Sequence, residues 1–200
     1  MKIFIDFDGT LIDSRIRIYG LFKKISGAAL SSDQYWELKR NQVSNDDILI
    51  KYCNYTDVKL QAFNDEWFPL IEHDDWLFFD HPLPGVTDFL KKLSQHNTLI
   101  LVTARQRTDK VFDQIARFGW QDLFHDILVT QQEKEKEALI AAKFDCHSTD
   151  FIVGDSGKDI LAGKALGLKT VAVLSGSRNK QQLIKYNPDF IVDTIVDFNF

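Results

Sequence analysis

The chain has 200 residues, 44% of them hydrophobic, and its 29 acidic and 24 basic side chains give a formal charge of -5. That length and apolar content suit one compact α/β domain, or a core with a small insertion, and exclude a disordered chain. The mildly acidic balance argues against broad binding of nucleic acid or of an anionic membrane, so an anionic ligand must be held by local cations.

In chain order, short apolar runs read as buried strands at Lys2 to Asp6, Leu99 to Thr103, Asp126 to Thr130, Phe151 to Gly154, Thr170 to Leu174 and Phe190 to Val192. Between them run amphipathic helical stripes: Val86, Phe89, Leu90 and Leu93 recur at i, i+3, i+4 and i+7, and similar patterns cover Val111 to Phe118, Ala138 to Phe144 and Ile160 to Leu166. Strand and helix in alternation imply a Rossmann-like parallel sheet with helices on both faces. Residues 14–80 break that rhythm. They hold no convincing strand but offer helix starts at Ser31-Ser32-Asp33, Ser44-Asn45-Asp46 and Thr56-Asp57, so a small all-helical cap inserted after the first strand is expected. The expected core is then residues 1–13 and 81–200, with His81-Pro82-Leu83-Pro84-Gly85 marking the return.

Cys53 and Cys146 lie far apart without CxxC spacing, which points to neither a disulfide framework nor a cysteine zinc site. No apolar run approaches the roughly 20 residues that span a bilayer. The N-terminus starts a strand without the layout of a signal peptide, and a cytoplasmic protein is expected.

In open α/β sheets ligands bind beyond the carboxyl ends of the strands. Those positions hold Asp6 and Asp8 after the first run, Thr103 closing ILVTAR with Ala104 and Arg105 behind it, and Asp155 with Asp159 in GDSGKD; Lys136 stands in EKEKEALI. With these residues the sequence resembles the haloacid dehalogenase-like superfamily. Its Asp-x-Asp-Gly-Thr motif appears as DFDGT, its strand-ending Thr as Thr103, its helix-start Lys as Lys136, and its Gly-Asp-x-x-x-Asp motif as GDSGKD. The helical insertion, the PLPGV segment and the tail TVAVLSG…NPDFIVD look most like phosphoglycolate-phosphatase-like hydrolases.

The residue types fit phosphoryl transfer on their own chemistry. A carboxylate approaching a phosphoryl dianion is repelled unless a divalent cation and a fixed ammonium neutralise both. Asp6 is read as the nucleophile that forms an aspartyl-phosphate, and Asp8 as the acid and base that protonates the leaving group and then activates water. Thr103, Ala104, Arg105 and Lys136 are expected to hold the phosphate. Mg²⁺ is expected on Asp6, the backbone carbonyl of Asp8 and Asp155, with Asp159 completing the acidic end by holding a metal-bound water or Lys136. Lys136 is preferred to Lys134 because Leu139 and Ile140 follow it at three and four residues, as the resemblance to the family's pattern implies, which leaves Glu133-Lys134-Glu135 as an exposed first turn.

Some residues carry plainer readings. The aromatic set Tyr35, Trp36, Phe63, Trp67, Phe68, Trp76, Phe78 and Phe79 is expected to pack the helical insertion. Arg15 and Arg17 are read as helix surface, and His73-Asp74-Asp75 as a solvated turn. The Asp-Gly pair of DFDG is read as a catalytic loop, because no partner strand follows to make a hairpin.

The expected function is a Mg²⁺-dependent phosphatase acting on a small phosphorylated metabolite, with no nucleic-acid or membrane partner. A carbon-halogen hydrolase would not need the acid at Asp8. A phosphonate hydrolase would need a buried amine from the insertion, and a receiver-like signalling module would gain nothing from an acid that speeds loss of its phosphate.

Overall fold

The computed structural model describes all residues, Met1–Phe200. From the N-terminus it runs through β1 (Lys2–Ile5), β2 (Ile12–Asp13), α1 (Arg15–Ser26), α2 (Ser32–Arg40), α3 (Asn45–Cys53), α4 (Asp57–Leu70) and α5 (Asp74–Leu77). After β3 (His81–Pro82) it alternates: α6 (Val86–Leu93), β4 (Thr98–Thr103), α7 (Thr108–Arg117), β5 (Asp126–Val129), α8 (Lys136–Lys143), β6 (Phe151–Gly154), α9 (Gly157–Ala165), β7 (Lys169–Val173), α10 (Lys180–Ile184) and β8 (Phe190–Val192). All six expected strands form one parallel sheet in the order β5-β4-β1-β6-β7-β8. The first strand is therefore central, and the sheet grows outward from it in both directions.

Side-chain alternation explains why the strands read as unbroken apolar runs. Ile3 and Ile5 face one hydrophobic cluster with Leu99, Leu101, Val153 and Val171, while Phe4 faces another with Ile100, Val102 and Ile152. Both faces are covered by helices, so the middle of each central strand has no solvent side to reserve for polar groups, and Lys2, Thr98 and Lys169 stand at the strands' open starts.

The segment between β2 and β3 is helical throughout, as expected. Its own cluster joins Phe22, Tyr35, Trp36, Ile48, Leu49 and Phe63. Ser31 and Ser44 cap α2 and α3 through their hydroxyls, which accept the backbone N–H groups of Gln34 and Asp47.

The structure adds short elements that the sequence pattern does not announce. β2 pairs antiparallel with β3, 68 positions on, at Asp13↔His81 and Ile12↔Pro82, so the entry and exit of the helical segment are zipped together. Two-residue strands carry no readable period, which is why they escape pattern analysis. The short α10 is missed for the same reason. Glu133-Lys134-Glu135 is exposed but precedes α8, which begins at Lys136 itself.

Candidate active site

Register brings the motif residues to one edge. Ile5 aligns with Leu101 on β4 and with Val153 on β6, so Asp6, Thr103 and Asp155 leave the sheet side by side. The Asp6 N–H still donates to the Val153 carbonyl at 2.9 Å. Beyond it the chain turns tightly, with the N–H groups of Thr10, Leu11 and Ile12 all donating to the Phe7 carbonyl. Gly9 holds φ +76, and a β-carbon there would meet the Gly176 backbone at 2.7 Å and Asp155 Oδ2 at 2.9 Å. DFDGT is thus a loop pressed against the GDSGKD end of the sheet.

Asp6, Asp155 and Asp159 are buried, with one carboxylate oxygen from each within 4.8 Å of the others. Lys136 Nζ donates to Asp6 Oδ1 at 2.6 Å and to Asp159 Oδ1 at 2.5 Å. Asp159 also accepts from the Ser156 hydroxyl at 2.6 Å and its N–H at 3.2 Å, which caps α9 and fixes the carboxylate. Asp155 Oδ2 accepts from the Ser177 N–H at 2.5 Å and hydroxyl at 2.8 Å. Lys134 is exposed, so Lys136 is the lysine of this centre.

Burial pushes the Asp6 carboxyl up to about 8; Lys136 pulls it down, while Asp159 and Asp155 add to the rise. Burial and Asp159 raise Asp155 as well, against the two Ser177 hydrogen bonds. For Lys136 burial alone would favour the neutral amine, but Asp159 and Asp6 outweigh it and hold the ammonium above its usual range. With all three carboxyls ionised, the one ammonium leaves two negative charges among hard oxygen donors. That set fits a divalent cation of the magnesium kind, which would offset the repulsion now raising Asp6 and Asp155.

The second acid has a different environment. Arg105 Nε donates to Asp8 Oδ2 at 2.5 Å and its Nη2 to Oδ1 at 2.8 Å, and Arg17 Nη2 donates to the same Oδ1. Burial raises the Asp8 carboxyl, but the two guanidinium groups more than reverse this and bring it down to about 2. Both arginines also bind Asp80, which is fully buried: Arg17 Nε at 2.9 Å and Arg105 Nη2 at 3.1 Å. Asp6 and Asp8 therefore border one cavity but face separate partner sets. The Asp8 carboxylate lies outside the acidic cluster, so only its backbone carbonyl is left as the expected metal contact.

The cavity has a volume of about 300 Å³ and is bordered by Asp6, Asp8, Thr103, Ala104, Arg105, Lys136 and Asp155, so the structure brings the expected set together. Asp159 stands behind it, against Lys136. Several plainer readings are corrected. Arg17 is buried, because Asp80 and the Ile71 carbonyl at 3.0 Å lie within its reach. Arg15 is exposed on α1, as a helix-surface residue is, and borders the cavity while paired with Asp13. Tyr35, Trp36 and Phe63 are core, whereas Phe68, Phe78 and Phe79 are exposed, and Trp36, Trp67 and Phe68 form a wall of the cavity. His73 to Asp75 is solvated, at the start of α5. Asp80 and Glu72 were unmarked in the sequence. Glu72 is buried and accepts the backbone N–H groups of Gln106 at 2.8 Å and Arg107 at 2.9 Å, the loop behind Thr103.

A central parallel strand that ends in paired carboxylates, beside a second acidic strand end and a lysine, defines an α/β protein with an Asp-x-Asp centre. Its sequence matches the haloacid dehalogenase-like hydrolase family over residues 3–173, and the chain belongs to that family. It is 25% identical to pyrophosphatase PpaX of Bacillus velezensis, over 98% of this chain and 93% of that one. It is 29% identical to the phosphoglycolate phosphatase of Vibrio vulnificus over 122 residues; that match spans 58% of this chain and only 54% of the relative. A haloacid dehalogenase-like hydrolase from Streptococcus pneumoniae shares the fold at a TM-score of 0.79 and 20% identity, covering 98% and 95% of the two chains.

Proposed function

We propose that the chain is a Mg²⁺-dependent phosphatase that hydrolyses a small phosphorylated metabolite through an aspartyl-phosphate on Asp6. The observation that carries this reading is the cluster of Asp6, Asp155 and Asp159 at the carboxyl edge of the sheet, in which Lys136 bridges Asp6 and Asp159 while Asp6 and Asp155 border the same cavity as Asp8 and Thr103. Relatives named as phosphatases and a pyrophosphatase support the reaction class.

Asp6, Asp155 and the Asp8 carbonyl would hold the cation, with Asp159 behind them. When bound, it supplies charge neutralisation for the phosphoryl oxygens. Lys136 and the Thr103 hydroxyl position those oxygens, so the Asp6 carboxylate can attack phosphorus without facing an uncompensated anion. Phosphoryl transfer to Asp6 releases the leaving group; water then attacks the aspartyl-phosphate, returns free Asp6 and yields inorganic phosphate.

Asp8 is a carboxylate while both arginines grip it, and it serves as acid once the substrate phosphate draws a guanidinium away and lets its proton affinity rise. Water exclusion falls to the helical segment 14–80, which acts as a cap over the centre, and Glu72 ties that cap to the loop behind Thr103. The core is then 1–13 and 81–200.

Purified protein with Mg²⁺ and p-nitrophenyl phosphate should release phosphate, and Asp6→Asn should abolish the release. Equal rates in the two proteins would sink the proposal.

A further inference from the structure

The cations around the cavity are not equally free. Five border it, and four are already engaged: Arg15 with Asp13, Arg17 and Arg105 with Asp8 and Asp80, and Lys136 with Asp6 and Asp159. The fifth, Lys158, is exposed and has neither an ion pair nor a hydrogen bond. It is the second residue of α9, where the positive end of the helix dipole opposes a cation, so helix stability does not account for a lysine there.

Gln132 also borders the cavity, and its side-chain amide has no hydrogen bond either. Gln131 and Gln132 hold φ +55 and +57, two successive non-glycine residues in the left-handed region, while the Gln132 N–H donates to the Thr130 hydroxyl at 3.1 Å. Such backbone is costly for a residue with a β-carbon and concentrates at ligand sites. An adjoining recess of about 330 Å³ shares Ala104, Gln132, Lys136 and Lys158 with the cavity. The other charges bordering that recess, Lys134, Glu135 and Glu137, do not border the cavity, so Lys158 is the one free cation common to both hollows.

The helical segment supplies no equivalent. Its two arginines at the cavity, Arg15 and Arg17, are the paired ones, and its other contributions are mainly apolar, with Glu72 as a buried acid. Resting on the phosphatase reading, we infer that Lys158, with the Gln132 amide, sets specificity by binding an anionic group on the leaving group of the substrate, so that charge is selected from the core and not from the helical segment. A carboxylate and a second phosphate share that chemistry: Lys158 supplies the charge and Gln132 a hydrogen-bond donor. Lys136 and Thr103 are left to hold the phosphoryl group being transferred, and a cavity of about 300 Å³ suits a phosphate with a short leaving group.

The test compares kcat/KM with Mg²⁺ for phosphoglycolate, pyrophosphate, 2-hydroxyethyl phosphate and p-nitrophenyl phosphate, in the native protein, Lys158→Ala, Lys158→Arg, Gln132→Ala and Arg15→Ala. 2-Hydroxyethyl phosphate has nearly the size of phosphoglycolate without its carboxylate. In the native protein at least one of the two anionic substrates should exceed 2-hydroxyethyl phosphate by about tenfold or more, and the larger of the two ratios separates a carboxylate from a phosphate source. Lys158→Ala should cut that ratio by at least about tenfold, mainly through KM. Lys158→Arg should restore most of it, Gln132→Ala should lower it less, and Arg15→Ala should leave it near the native value. A native ratio near one, a ratio unmoved by Lys158→Ala, or one that collapses in Arg15→Ala instead would overturn the inference, while release of phosphate from p-nitrophenyl phosphate would keep the phosphatase reading. Release from none of the four would overturn that reading and this inference with it.

Discussion

Arg17 and Asp80, 63 positions apart in the chain, meet at 2.9 Å at the two ends of the helical segment. Asp80 also accepts Arg105 Nη2 at 3.1 Å and Gln114 Nε2 at 2.9 Å, so one fully buried carboxylate joins the first inserted helix, the loop after β4 and helix α7. The same two arginines grip Asp8.

Removing Asp80 therefore leaves two buried guanidinium groups short of a partner. Asp80→Ala should lower the free energy of unfolding by about 3 kcal/mol, read from urea denaturation. A loss below about 1 kcal/mol would mean that Asp8 alone satisfies both arginines.

The Asp155 carboxylate depends on a backbone that comes unusually close. A β-carbon on Gly176 would fall inside contact distance of Asp155 Oδ2, Cβ and Cγ, and the next residue, Ser177, supplies both hydrogen bonds to Oδ2. Gly176→Ala should keep the fold but displace the carboxylate and weaken Mg²⁺ binding at least about tenfold, measured by titration calorimetry. An unchanged affinity would remove Asp155 from the proposed metal site.

The pH dependence of the metal-free protein follows from Asp6. Its carboxyl sits near 4 in an unfolded chain and at about 8 in the fold, so between those values the folded state binds more protons than the unfolded one. Stability from this group is complete below about pH 4 and is lost as pH rises through about 8. In the presence of a chelator, Tm should fall by at least about 3 °C between pH 5 and pH 8.5; Mg²⁺ should suppress much of the fall, because the cation takes the place of the proton. Asp6→Asn, which has no carboxyl to titrate, should flatten the chelator curve; a curve as steep as the native one would assign the effect to another group.

What was readable in the sequence was whatever local chemistry repeats. Ile3-Phe4-Ile5 alternates between two apolar clusters, so it had to be a strand covered on both faces, and the carboxylates behind it had to stand at the sheet's edge. GDSGKD was legible for the same reason, and Lys136 was recognisable from the apolar helix that follows it. The helical character of the insertion showed in its capping serines.

Only the tertiary structure decided the partners of side chains whose chemistry is ambiguous in isolation. Arg17 looks like any arginine on a surface helix until Asp80 arrives from 63 positions away and the turn after β1 brings Asp8 alongside, and Glu72 becomes a wall of the cavity only because the loop at Gln106 and Arg107 offers it two N–H groups. Trp36 and Trp67 have the same hydrophobic spacing whether they fill a core or border a ligand site. The physical reason is one of range: periodicity and capping act over a few residues and are written locally, whereas the burial of a charge is settled by a partner that the chain brings back from 60 or more positions away.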